Sequence, residues 1–203
     1  MLLCDIGNTS YHFYDGSIEY KKNVEDFKPQ TITQKIYYIS VNSSVNRKLS
    51  SLKNWIDLGL YLDRSAYYET MGIDRVVACE VVNNGVIVDA GSAITVDVMR
   101  DGVFEGGFIY PGVNAMQKTY KTISPALDYE FNFSLDTKTL AKNSQDAISY
   151  GFLKLLYSEV LSHNLPIILT GGDGDKLQTL FDSATLNRHL LFHAMQKIIE
   201  KNL

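Results

Sequence analysis

Two short segments of this chain share one pattern, and that repeat limits the fold more than any other feature. Leu2-Leu3-Cys4-Asp5-Ile6 reads as an apolar strand and runs into Gly7-Asn8-Thr9. Val86-Ile87-Val88-Asp89 reads as another and runs into Ala90-Gly91-Ser92-Ala93, the second Asp falling 84 positions after the first. Each copy is a strand, Asp-x-Gly, a small polar residue and a further β-prone segment. Glycine lets the backbone turn sharply and brings N–H groups close to an anion. The small polar residue adds a donor, and an Asp at the strand end can orient a hydrated cation against phosphate. One Asp-x-Gly turn is commonplace in α/β proteins. Two at matched places suggest two related lobes that grip a polyphosphate.

The rest of the chain fits that organisation. Asp15-Gly16 is a hairpin signal between Tyr11–Tyr14 and Ser17–Tyr20. Lys35–Val41 is β-rich, and Asn42-Ser43-Ser44 caps an expected helix from Val45 that carries Leu49, Leu52 and Ile56 on one face. Ile73–Asn83 reads as helix. Val86–Asp89, Ile94–Met99 and Val103–Ile109 read as three strands, with Asp101-Gly102 as a turn and Val113–Lys121 as a helix after Pro111-Gly112. Asn143-Ser144 opens a long helix to about His163, with Ile148, Phe152, Leu155 or Leu156, and Val160 at the spacing of one buried face. Pro166–Thr170 reads as a buried strand, Gly171–Gly174 as a loop and His193–Asn202 as a closing amphipathic helix. The expected boundary lies at Tyr67–Gly72. It gives lobes 1–71 and 72–203, with 193–203 as a possible completion of the first.

Composition removes several classes of function. The 203 residues hold 19 Lys+Arg against 23 Asp+Glu, a net charge of -4, and no basic run stands out. Nucleic-acid binding is therefore not expected, and the scattered tyrosines form no stacking array on a basic surface. Apolar runs are far shorter than the roughly 20 residues of a membrane helix, and Asp5 arrives too early for a signal peptide. Cys4 and Cys79 form neither a metal-ligand pair nor a disulfide framework, so a cytoplasmic setting is expected. There is no G-x-x-x-x-G-K-[ST] and no G-x-G-x-x-G after a strand.

The paired turns resemble those of the actin-like, hexokinase-like ATPase superfamily. Thr170-Gly171-Gly172-Asp173 falls where that superfamily places its adenosine-binding glycines. With Gly72-Ile73-Asp74-Arg75, Asp89–Asp97 and Gly106-Gly107-Phe108-Ile109-Tyr110-Pro111-Gly112 added in order, the chain is similar to type III pantothenate kinases over nearly its whole length. The resemblance implies an α/β chain of two ribonuclease-H-like lobes in the actin-like ATPase fold, with a nucleotide cleft between them. It implies ATP-dependent phosphorylation of pantothenate to 4'-phosphopantothenate, the first step of coenzyme A biosynthesis, by a homodimer. On its pattern Asp5, Ile6, Gly7, Asn8, Thr9, Ser10, Tyr11, His12 and Ser92 bind ATP. Tyr68, Gly72, Ile73, Asp74, Arg75 and Ser144 bind pantothenate, and Asp74 is the catalytic proton acceptor. Asp89 binds a monovalent cation, K+ or NH4+, while Mg2+ comes with ATP, oriented by Asp5 through water.

The residues support this chemistry on their own terms. Phosphoryl transfer to an alcohol needs charge neutralisation, an in-line hydroxyl and a carboxylate to take its proton. Asp74 suits the last role, and Arg75 suits an anionic group, whether carboxylate or phosphate. Asp74-Arg75 would otherwise read as a solvated pair at a helix start. Ser144 doubles as an N-cap, in competition with Asn143. Two departures stand out: Ser92 replaces the family's usual threonine, and Ser65–Met71 lacks its common proline. A nucleotide-binding regulator without kinase activity, or a kinase for another small carboxylated alcohol, would share most of these features. His189 and His193 are four apart, but Leu190–Phe192 reads as strand, so no shared face and no metal site are expected there.

Overall fold

The computed structural model describes residues 1–203. It divides into one unit of Met1–Val81 with His189–Leu203 and a second of Val82–Arg188. No helix is long and apolar enough to cross a membrane.

The first unit runs β1 (Leu2–Ile6), β2 (Ser10–Tyr14), β3 (Glu19–Asn23), β4 (Ile36–Ser40), α1 (Ser43–Leu49), β5 (Trp55–Asp57) and α2 (Ile73–Cys79). Its five strands lie in the order β3-β2-β1-β4-β5. The β1–β2 and β2–β3 pairs are antiparallel, whereas β4 lies parallel to both β1 and β5. Alternation sends Leu2, Cys4 and Ile6 to one face, with Tyr11, Phe13, Val45 and Trp55. Leu3 goes to the other, with Ile39, Leu58, Val77, Phe192 and Met195. A strand buried on both faces explains the unbroken apolar run Leu2-Leu3-Cys4. Asp5 follows Leu3 by the same alternation.

The second unit runs β6 (Gly85–Ala90), β7 (Ala93–Arg100), β8 (Val103–Pro111), α3 (Val113–Ile123), α4 (Ser144–Ser162), β9 (Ile167–Thr170), α5 (Gly174–Leu180) and β10 (Thr185–Leu186). Its sheet order is β10-β9-β6-β7-β8, with β6–β7 and β7–β8 antiparallel and β6–β9 and β9–β10 parallel. Read from β8, this is the strand order of the first unit: third, second, first, fourth, fifth. The repeat seen in two turns is thus a repeat of whole sheets. Ile148, Phe152, Leu156 and Val160 of α4 pack on Val86, Val88, Val96 and Leu177.

Several expected boundaries move, each for a packing reason. The division falls after Val81 rather than after Met71, because Val77 of α2 is buried with Leu3, Ile39 and Leu58. The closing helix, α6 (Leu190–Asn202), begins three residues earlier than its polar pattern suggests. Phe192 fills the first unit's core as a helical residue, not a strand residue. His189 and His193 are consequently neighbours, with ring centroids 6.1 Å apart. α1 stops at Leu49, so Ile56 leaves the expected helical face and joins β5, opposite Tyr37 of β4. The helix expected to reach Asn83 ends at Cys79.

Candidate active site

In the first unit, Asp5 lies near the end of β1, half-buried, between His12 of β2 and Ile39 of β4. The turn closes where the Gly7 N–H donates to the Ser10 carbonyl at 3.0 Å, which leaves Asn8 and Thr9 exposed at its tip. Asn42 braces that tip. Its Oδ1 accepts from the Ser44 and Val45 N–H groups as the α1 cap, and its Nδ2 donates to the Asn8 carbonyl at 3.4 Å. Of the residues that the resemblance assigns to ATP, Ile6 and Tyr11 turn their side chains into the core, which leaves only their backbone groups at the turn. Both are fully buried, and Tyr11 (1% exposed) packs edge-on to Phe27 and Trp55. Strand alternation dictates this, and burial pushes the Tyr11 phenol up to about 12.

His12 packs edge-on to Phe192 at 4.9 Å and lies 3.5 Å from Glu19 Oε2, which also meets His189 at 3.1 Å. Burial lowers its pKa. Lys21, directly across the β2–β3 ladder, and His189 lower it further, against the opposing pull of Glu19. Below about pH 6.5 the unfolded chain therefore binds a proton that the folded chain resists. Stability should fall as pH drops below that point, and His12→Gln should flatten the decline. Thermal melts between about pH 5 and 7 check this; an unaltered slope in the variant would assign the dependence to other groups.

The second unit repeats the arrangement. Asp89 sits near the end of β6, half-buried, between Thr95 of β7 and Thr170 of β9. The Gly91 N–H donates to the Ala93 carbonyl at 3.0 Å, and Ser92 is exposed at the tip. The glycine-rich loop after β9 folds back over this strand end. Asp173 N–H donates to the Ala90 carbonyl at 2.9 Å, and Gly171, at φ +82°, leaves no room for a Cβ against Asp89 Oδ1 and the Ala90 backbone. Gly112 is pressed as closely onto the Ser92 carbonyl. Gly7 and Gly91 are different: neither has positive φ, and a Cβ on either would make only ordinary contacts. Asp97, 1% exposed on β7 opposite Gly107, is a buried carboxylate whose sequence signal was a lone Asp inside the apolar run Ile94–Met99.

Gly72 precedes α2, and a Cβ there would strike Asp74 Oδ1. Asp74 occupies the first turn and accepts from the Arg75 N–H at 2.9 Å. Arg75 is only 6% exposed, and its guanidinium donates to the Tyr68 hydroxyl, 5.7 Å from the centre of that ring. Of the adjacent tyrosines, Tyr68 is thus the one at Arg75. Tyr67 instead donates to Glu80 Oε1 at 2.9 Å. Ile73 is half-buried beside them.

Ser144 is the first residue of α4 and is exposed. The cap is Asn143, whose Oδ1 accepts from the Asp146 N–H at 2.9 Å. Ser144 is therefore not used as the helix cap. A cleft of about 400 Å³ opens beside it, lined by Asp136, Thr139, Leu140, Lys142, Asn143 and Asp146 among others.

The sequence model of the type III pantothenate kinase family matches residues 40–162. A type III pantothenate kinase from Sulfurimonas denitrificans is 56% identical over 201 residues, covering 99% of this chain and 98% of that protein. The chain belongs to the type III pantothenate kinase family. A second member, from Campylobacter jejuni, is 40% identical over 204 residues and covers 100% of this chain and 98% of its own. The family match contains Gly72–Arg75, Asp89, Ser92 and Ser144. The first turn and the loop after β9 lie outside it but within the full-length relatives.

Solved structures agree on the fold. One from Campylobacter jejuni, provisionally described as a Baf family transcriptional activator, is 39% identical with a TM-score of 0.89, covering 100% of this chain and 98% of its own. A Sinorhizobium meliloti protein provisionally assigned as a 2-dehydro-3-deoxygalactonokinase shares the fold alone, at 10% identity and a TM-score of 0.57, with 99% and 96% coverage.

Proposed function

We propose that this chain transfers the γ-phosphoryl group of ATP to the primary hydroxyl of pantothenate, giving 4'-phosphopantothenate for coenzyme A biosynthesis. The observation that carries the reading is the Gly72–Arg75 cluster. It joins a half-buried carboxylate to a nearly buried guanidinium and an exposed tyrosine, in a chain 56% identical to a type III pantothenate kinase.

In this reading Asp74 accepts the proton of the attacking hydroxyl, and Arg75 binds the acceptor's carboxylate with Tyr68 at its side. Gly72 and Ile73 shape that site, and Ser144 offers a hydroxyl to the same substrate. The first turn, through Gly7, Asn8, Thr9 and Ser10, donates N–H and hydroxyl groups to the nucleotide's phosphates, as does Ser92 in the second unit. Ile6 and Tyr11 contribute through their backbone only.

Asp5 and Asp89 fit hard cations, being half-buried carboxylates beside exposed turns. No three His, Cys, Asp or Glu side chains converge into a cage. That suits Mg2+ held by one carboxylate together with nucleotide phosphates. Asp5 would orient it through water, and Asp89 would hold K+ or NH4+. Bound there, the cations neutralise charge on the phosphates. Resemblance to the family also points to a homodimer, and the two buried cysteines fit a cytoplasmic setting.

The intact Asp74-Arg75 pair favours a kinase over a pure regulator, which has no need of a proton acceptor. Coupled ADP-release assays with ATP and a panel of hydroxy acids, with and without potassium, test the reading. Potassium-dependent turnover that prefers pantothenate is expected. Equal rates across the panel would remove pantothenate as the substrate, and ATP binding without any turnover would favour the regulator.

A further inference from the structure

We infer that Arg64, Tyr67 and Glu80 are positioning residues that hold the acceptor loop and keep Tyr68 in place while Arg75 engages its ligand. The inference rests on the acceptor-site reading above. The loop before α2 has little to hold it by burial. Residues 63–66 and 68–70 are exposed, and Met71 is its first fully buried side chain. Ordering such a segment costs conformational entropy that packing does not offset. Polar ties do that instead.

Two tight turns come first, with Tyr67 N–H donating to the Arg64 carbonyl and Met71 N–H to the Tyr68 carbonyl, each at 3.0 Å. Arg64 then reaches along the loop, and its Nη2 donates to the Met71 carbonyl at 2.5 Å and to that of Glu69 at 3.5 Å. Finally the adjacent tyrosines hook two places on α2 and its C-cap: Tyr68 at Arg75, Tyr67 at Glu80. Five residues of helix separate those points by about 7.5 Å along the axis. One hook would let the loop swivel, whereas two fix its orientation.

The second hook matters once substrate arrives. An anionic group on Arg75 competes with the Tyr68 hydroxyl for guanidinium N–H groups. Were that the sole tie, binding would release the tyrosine that lines the site. The bond from Tyr67 to Glu80 is independent of Arg75, so the loop stays seated. Breaking it should weaken acceptor binding and leave the chemical step alone.

Tyr67→Phe should raise KM for pantothenate roughly fivefold, about 1 kcal/mol, with kcat and KM for ATP within about twofold and an unchanged melting temperature. Glu80→Ala should match it, Glu80→Gln should restore wild-type KM by keeping an acceptor oxygen, and the double variant should be no worse than either single. Arg64→Met should act in the same direction. A KM unaltered in Tyr67→Phe, while the wild type phosphorylates pantothenate, overturns the inference and spares the assigned function. Hydrogen exchange decides the loop tie without reference to any acceptor. Amides of residues 65–71 should exchange faster in Tyr67→Phe than in the wild type, with the rest of the chain unaltered; equal exchange overturns the tie. Wild type inactive on pantothenate with accelerated exchange in the variant would retain the tie and reject the acceptor.

Discussion

Replacing Asp74 by Asn is expected to lower kcat by about a thousandfold, within the 10²–10⁴ that a positioned general base supplies, while the fold and ATP binding persist. The reason lies in what the carboxylate does locally. One oxygen accepts from the Arg75 N–H at 2.9 Å in the first turn of α2. The Asn side-chain oxygen can accept the same bond with the same shape. The structural loss is then limited to the favourable interaction of a negative charge with the helix N-terminus, roughly 0.3–1 kcal/mol. The catalytic loss is of another order, because an amide cannot take the hydroxyl proton. ADP release measured with saturating ATP and pantothenate, beside calorimetric ATP binding, separates the two. A variant with wild-type turnover removes Asp74 from the proton-accepting role. A variant that also fails to bind ATP points instead to a disturbed fold.

How much of this could be read from the residues depends on the range of the interaction concerned. The two Asp-x-Gly turns were legible because strand, turn and strand are contiguous, and the structure extends them to two sheets of one strand order. The capping stretches Asn42–Ser44 and Asn143-Ser144 were legible for the same reason, although only the structure picks the asparagine as the cap in each. What failed depended on long-range packing. Nothing local says that α2 belongs with β1 and β4, since its buried face meets Leu3, Ile39 and Met195 from distant parts of the chain. Leu190–Phe192 looked β-like, and only the first unit's core makes Phe192 a helical residue. Arg64, Tyr67 and Glu80 gave no motif at all, because a loop tied to a helix by hydroxyl and guanidinium groups has no fixed spacing.

Alanine at Gly171, in the loop after β9, and at Gly7, in the first turn, should give opposite results, and the contrast separates architecture from ligand binding. Gly171→Ala is expected to destabilise the protein by about 3 kcal/mol, the sum of left-handed backbone strain and a forced shift of neighbours. Its φ is +82°, and a methyl there would collide with Asp89 Oδ1 and the Ala90 backbone. That is a melting-temperature loss of roughly 10 °C, and on the cation role proposed for Asp89 its displacement should also abolish any potassium dependence. Gly7→Ala meets no such obstacle. Its φ is not positive, and the nearest atom to the new methyl is the Ser10 carbonyl oxygen at 3.9 Å. The protein itself therefore does not require glycine at position 7. A phosphate drawn against the backbone N–H groups of this turn, as proposed above, would need the clearance that glycine leaves. Gly7→Ala should accordingly melt within about 2 °C of wild type, no more than the shift from 1 kcal/mol in a chain of this length, yet raise KM for ATP at least roughly tenfold. Unaltered ATP kinetics would leave Gly7 unexplained by phosphate binding, and a large stability loss would mean that the turn's glycine serves the fold after all.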